Sequence, residues 1–381
     1  MKPWNVEICD VTLRDGEQTP GVSFTCEEKM TIASLLDETG VEVIEAGFPV
    51  VSENEYHCIQ QICQMGLDAD ICCLARATQG DIDAAIGCDV DLVSIFIATS
   101  ELHMRVKYRC SPDEMLERGL AMVDYAHDHG LRVRFAAEDA SRTDPAFLRR
   151  MYAAGAEHGA EYSGFADTLG CMTPVDMMHF MEHTGSILPN KLAIHCHNDL
   201  GCATANTITA AELGAFQLHT TVNGIGERTG NARLEEVLAL LRLKGGIDRY
   251  DLTRLPELSA VVETCSGITM MDTKPVVGKN AFSHESGIHI AAMLDDPETY
   301  EYLHPEMVGR ERRYILGKHT GRKAIEHVIA SKGCALSPDQ VHWVLCRVKQ
   351  ISEGKCSVTD EILMNLLREA RDQTEEEGEK V

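Results

Sequence analysis

Between residues 6 and 243 the chain repeats a single pattern: a short apolar run, a turn, then an amphipathic helical stretch. Strand-like runs fall at 6–11, 41–47, 70–74, 91–97, 131–137, 162–166, 191–195 and 216–222. Helical stretches follow them at 25–39, 53–65, 80–86, 111–129, 145–158, 174–186, 203–213 and 231–243. Thr25 with Glu28 three residues on reads as a capping box, Gly40 as a stop, and Ser111 with Pro112 as a helix start. Eight strand–helix units in about 245 residues match the size of a (β/α)8 barrel, a parallel sheet closed on itself. The rival is an open, doubly wound sheet, which expects a glycine-rich nucleotide turn after the first strand. No GxGxxG stands there; the GxG at 224–226 follows the last strand, where a barrel places site loops. The expected division is therefore a barrel over 1–250, an irregular linker or lid over 251–315, and a small helical region with an acidic tail over 316–381.

Composition narrows the class. At 381 residues and 44% hydrophobic, the chain can bury a sizeable core. A net charge of −25 disfavours nonspecific nucleic-acid and anionic-membrane binding, so any anionic substrate needs positive charge supplied locally by its site. The apolar runs are too short for a membrane span, and the opening MKPWNVEICD lacks a secretory h-region, so a cytoplasmic protein is expected. The 15 cysteines contain no CxxC pair, which argues for buried thiols over a thiolate zinc site or a disulfide framework.

Polar residues collect where the strands end. Arg14, Asp15 and Glu17 follow strand one within DVTLRDGEQ, Glu45 ends strand two and Arg76 strand three. Glu138-Asp139 ends strand five, Asp167-Thr168 strand six and His195-Cys-His197-Asn-Asp199 strand seven. Asn223, Glu227-Arg228 and Asn231 follow strand eight. The C-terminal ends of barrel strands are where such folds do chemistry. His195 and His197, two apart on a strand, point the same way and can reach one ion, with Asp15 facing them across the barrel. Two nitrogens and a carboxylate suit a divalent ion acting as Lewis acid. Asn231 reads either as a fourth ligand or as the cap of the last helix. Glu138 reads either as a general base, or a group orienting one, or as the ion-pair partner of a nearby arginine. Arg14, Arg76 and Arg105 are candidate anion clamps, each with a surface ion pair as the plainer alternative. The loop FSHESGIH, ending at His289, reads as a turn or as a lid supplying a proton-transfer histidine.

The motifs DVTLRDGEQTPG, EAGFP, FADTLG, IHCHNDLGCATAN, TVNGIGERTGNARLEEV and AFSHESGIH together resemble the DRE-TIM metallolyase superfamily. More narrowly they resemble its Claisen-condensing branch of isopropylmalate, homocitrate and citramalate synthases. The likeness runs from about residue 5 to about residue 325, with a barrel of the size expected for such enzymes. It implies a homodimer with a loop reaching the partner's site, acetyl-CoA as cosubstrate and a 2-oxo acid as acceptor. It implies a divalent ion (Mg, Mn or Zn) held by Asp15, His195 and His197, with Asn231 nearby. It implies Arg14 at the oxyanion, Glu138, His289 and Tyr300 as the base assembly, and Gln18, Arg76 and Thr168 with Arg14 at the substrate.

The acceptor is less directly written. Only about 60 residues follow Gly321, too few for the extra C-terminal domain that isopropylmalate and citramalate synthases usually carry. That shortness, with GRERRYILGKHTGR, resembles homocitrate synthases of the archaeal type, which act on 2-oxoglutarate. IEAGFP and CLARA resemble isopropylmalate synthases, and Leu74 stands where lysine-pathway homocitrate synthases carry His. Homocitrate formation is the expectation. The alternatives are 2-oxoisovalerate or pyruvate as acceptor, and more remotely a metal-dependent C–C lyase.

Overall fold

The computed structural model describes residues 4–378, with side chains through 372. The chain divides into two compact units at Met270/Met271.

In the first unit, eight strands close into a barrel in chain order: β1 (Glu7–Asp10), β2 (Val43–Gly47), β3 (Asp70–Arg76), β4 (Leu92–Ala98), β5 (Arg132–Glu138), β6 (Tyr162–Asp167), β7 (Lys191–Cys196) and β8 (Gln217–Thr220). Every pairing is parallel, and β1 closes on β8 with Glu7 beside Gln217 and Asp10 beside Thr220. Parallel neighbours need crossover connections, and the helices supply them. These are α1 (Cys26–Thr39), α2 (Glu53–Cys63), α3 (Gln79–Cys88), α4 (Glu101–His103, running into a π-helical turn Met104–Tyr108), α5 (Pro112–Asp128), α6 (Pro145–Glu157), α7 (Pro174–His183), α8 (Ala203–Glu212) and α9 (Leu234–Leu243). The capping box at Thr25/Glu28 and the helix start at Ser111–Pro112 form as expected, the latter with Glu114 completing a second box, and α1 ends at Gly40 with φ of 91°. The helix after β8 begins at Leu234 with Arg233 as its cap, so Asn231 is free of capping duty. A further helix, α10 (Leu255–Ser266), packs on α1, with Arg254 paired to Glu38 at 2.9 Å.

Strand β5 shows how the two-residue period builds the barrel. Phe135 points outward and is clamped by helices: a Cβ on Gly119 of α5 or Gly155 of α6 would fall 2.7 Å from its ring. Its neighbour Arg134 points inward and is 1% exposed. Arg134 Nε donates to Ser94 Oγ at 3.0 Å, Nη1 to Gln217 Oε1 at 2.6 Å, and Nη2 to Glu45. The barrel axis thus holds a charged network above an apolar layer that includes Val43, Leu92 and Tyr162.

The second unit contains a two-stranded parallel pair, β9 (Ser283–His284) and β10 (Arg313–Tyr314), and helices α11 (Gly287–Met293), α12 (Arg322–Ser331), α13 (Pro338–Glu353) and α14 (Asp360–Gly378). Ile325, Val344, Val348, Leu363 and Leu367 form its apolar core. Glu301 is buried and held by Arg312, whose Nε donates to it at 2.6 Å. Among the described residues no helix is long and apolar enough to cross a membrane.

Candidate active site

A cavity of about 280 Å3 opens at the C-terminal ends of the barrel strands. Its wall includes Arg14, Asp15, Gln18, Glu138, Thr168, His195 and His197, so one site gathers most of the residues singled out in the sequence. Arg14, Asp15 and Gln18 sit in the β1–α1 loop over 11–25, which turns through a 3-10 helix at Gly16–Gln18.

The imidazoles of His195 and His197 converge, with their Nε2 atoms 3.2 Å apart. Two ligands of one ion at about 2.1 Å adopt that separation. Asp15 completes a buried group of three whose ligand atoms lie within 4.8 Å of one another. Burial pushes the His195 imidazole well below its ordinary range, with His197 adding to the shift, and burial likewise lowers His197. Both rings are thus in the neutral form that binds metals. Burial opposes the ionised form of Asp15, but the Arg14 guanidinium foremost, with the Asn231 amide donating to it, outweighs burial and holds the carboxyl at about 2. Asn231 bridges to His197 through the backbone, and its Nδ2 donates to Asp15 Oδ2. Gly226 lets that loop close: a Cβ there would fall 2.2 Å from Asn231 Nδ2. His195 Nδ1, His197 Nδ1 and Asn231 Oδ1 are buried without a hydrogen-bond partner, a costly arrangement in an interior. The cavity wall carries three arginines (14, 134 and 228) against four carboxylates (15, 45, 138 and 227). A divalent cation therefore fits on two counts: the donor set is two neutral nitrogens and a carboxylate, and its charge turns the wall net positive.

Arg14 Nε donates to Glu45 Oε1 at 2.5 Å and Nη1 to Asp15 Oδ1 at 2.7 Å. The guanidinium is thereby oriented by two buried carboxylates. Glu138 ends β5 and is held by Lys107 Nζ at 2.7 and 2.8 Å, a lysine where the sequence suggested an arginine. His103 lies between Glu138, at 3.6 Å, and Asp139, at 3.7 Å. Thr168 Oγ1 accepts from the Asp139 N–H at 2.8 Å, which leaves the hydroxyl proton free for a ligand.

Two expected arginine clamps are engaged elsewhere. Arg76 gives Nε and Nη2 to Asp81 at 2.9 Å each, and Arg105 pairs with Glu101 at 3.3 Å on the surface. His289 and Tyr300 belong to the second unit, where their exposed rings stack with centroids 4.0 Å apart. Sequence reading missed Arg134, Ser94 and His219, which also line the cavity. Arg134 shares inward parity with Glu138, four residues on along β5, and that parity was the available signal. His219, forced well below its ordinary range by burial and by Arg134, packs edge-on against His195 at 5.4 Å.

Comparison with known proteins agrees with this geometry. Residues 5–262 match the HMGL-like family and residues 276–356 the homocitrate synthase post-HMGL domain-like family. The chain is 50% identical to the homocitrate synthase AksA of Methanosarcina mazei, over 99% of this chain and 94% of that one. It is 49% identical to a probable 2-isopropylmalate synthase of Methanopyrus kandleri, over 92% of this chain and 70% of that one. The Bacillus subtilis HMG-CoA lyase structure superposes with a TM-score of 0.64 at 22% identity, over 73% of this chain and 98% of that one, a likeness of fold. Eight parallel strands carrying Asp15, His195 and His197 at their C-terminal ends, and a family match over most of the chain, converge: the chain belongs to the HMGL-like family, in the Claisen-condensing branch of the DRE-TIM metallolyases.

Proposed function

We propose that this chain condenses acetyl-CoA with 2-oxoglutarate, giving homocitrate and CoA. The observation that carries the reading is the 50% identity to a homocitrate synthase that matches this chain nearly end to end, 99% of one and 94% of the other. The cavity supports it. Ser94 lines it, and because its Oγ accepts from Arg134 Nε the hydroxyl proton is left for a second acceptor carboxylate. A second reading, 2-oxoisovalerate, is favoured by Leu74 and Phe96 in the same wall and by the isopropylmalate synthase relative. Release of free CoA from acetyl-CoA, measured with a panel of 2-oxo acids, decides between them. 2-Oxoglutarate should give the highest kcat/KM, and a clear preference for 2-oxoisovalerate or pyruvate overturns the assignment.

Asp15, His195 and His197 would hold the divalent ion, with Asn231 orienting Asp15; two nitrogens and an oxygen accept manganese, zinc or magnesium. When bound, the ion supplies Lewis-acid polarisation of the acceptor's keto group. Thr168 donates its hydroxyl proton to the acceptor carboxylate. Glu138 takes a proton from the acetyl methyl group, or orients the His289–Tyr300 pair that does. The enolate carbon bonds to the keto carbon, and the Arg14 guanidinium, held by Glu45 and Asp15, stabilises the alkoxide that forms. Gln18 lines the same wall and would contact substrate. The alkoxide takes up the proton removed from the methyl group; water then adds its hydroxyl to the thioester carbonyl, the C–S bond breaks, and CoA departs as the thiol with a proton from that water while the new carboxyl group ionises.

His289 and Tyr300 are read as acting on the partner's site in a homodimer. Mixing the inactive His289→Ala and His195→Ala chains under subunit exchange checks this. Activity should return to at most about half per heterodimer, by the symmetry of a two-site dimer. No recovery despite proven exchange contradicts action in trans.

A further inference from the structure

We propose that α7 carries a second metal site, on the outside of the barrel, that takes a divalent late transition ion such as zinc or nickel. The helix ends HFMEH, which puts His179, Glu182 and His183 at i, i+3 and i+4 on one face. One nitrogen of each ring and one carboxylate oxygen lie within 4.8 Å of one another. All three side chains are exposed, so the small rotations that bring them onto one ion disturb no packing. Nδ1 of His183 lies 2.9 Å from the His179 carbonyl oxygen. A carbonyl only accepts, so Nδ1 carries the hydrogen and Nε2 presents its lone pair, the arrangement that fixes a metal-binding tautomer. His179 Nδ1 lies 3.9 Å from Glu182 Oε2. Asp176, one turn earlier, is spent on the capping box with Thr173 and leaves Glu182 as the oxygen donor. Both rings border a cavity of about 420 Å3, which gives an ion room for its water ligands. Two imidazoles and one carboxylate suit zinc, nickel or copper.

An ion count on the intact chain would then include two classes of site, one in the barrel and one on α7. Equilibrium dialysis against zinc, read by elemental analysis, tests this on the full chain. Wild type should hold about two zinc ions per chain and the His179→Gln/His183→Gln variant about one, as expected when a helix loses both imidazole donors. CoA release should be unchanged in that variant, because none of the three residues lines the barrel cavity. Glu182→Gln should keep zinc but yield it to a weaker chelator. Because the three side chains are exposed, the variants are expected to fold, and circular dichroism verifies it. Equal zinc content in folded wild type and folded double variant overturns the proposal.

Discussion

Two glutamates in the barrel each stand between two cations, with opposite surroundings. Glu45 is fully buried between Arg14 and Arg134 at the floor of the cavity. Glu161 is about one-third exposed between Arg132 and Lys191 at the N-terminal ends of β5 and β7, with the Lys191 Nζ at 2.7 Å. Hydrogen bonds from Arg132 foremost, with Lys191, hold Glu161 at about 2 against the opposing effect of burial. For Glu45 burial is the largest influence and opposes ionisation, yet the two guanidiniums overcome it and lower its pKa. The lower pair is a solvated clasp of modest worth. The upper one is an interior charge network that survives only while every member is present. The contrast matches the division between stability and chemistry at the two ends of such barrels.

The largest expected effect falls on the proposed metal ligands. His195→Ala or His197→Ala should abolish CoA release and remove the ion from the barrel site, because each deletes one of the three side chains proposed to hold it. Glu45→Gln comes next. It strands Arg134 and Arg14 without their shared counterion and should destabilise the fold by about 3–5 kcal/mol in denaturant titration. A loss under about 1 kcal/mol would put the buried network in the class of surface pairs. Arg14→Lys should lower kcat by about a hundredfold, since a point charge cannot meet Glu45, Asp15 and an alkoxide together. A near-normal kcat would remove Arg14 from the mechanism. The smallest effect belongs to Glu161→Gln, about 1 kcal/mol or less near neutrality. Its sign with pH is fixed by linkage. A carboxyl whose folded pKa is depressed adds stability above its unfolded pKa and loses it as pH falls toward the folded value. The Tm gap between wild type and Glu161→Gln should therefore close between about pH 5 and pH 2. A gap that widens on acidification contradicts the ion-pair account.

The architecture was legible because strand parity and capping are local signals. Eight alternations, the Thr25/Glu28 box, the Ser111–Pro112 helix start and Gly40 all point to one closed sheet. The His195–His197 pair was legible for the same reason, since residues two apart share a strand face. What stayed hidden depends on the closed barrel. Arg134 reads as an ordinary strand charge until closure sets it against Gln217 and Glu45, residues 83 and 89 positions away. Asn231 looked equally suited to a helix cap until α9 was seen to begin at Leu234. Arg76 stood at a strand end like the site residues, but Asp81, five residues on, captures it locally.

Turnover is expected to depend on a metal ion held where the buried Nε2 atoms of His195 and His197 converge beside Asp15. The direct measurement takes one sample in the His179→Gln/His183→Gln background and follows bound divalent metal and CoA release together through exhaustive chelation and reloading. The account predicts that both fall together and return together, with about one ion per chain at full activity. Full CoA release from a chain shown to hold no metal would contradict it.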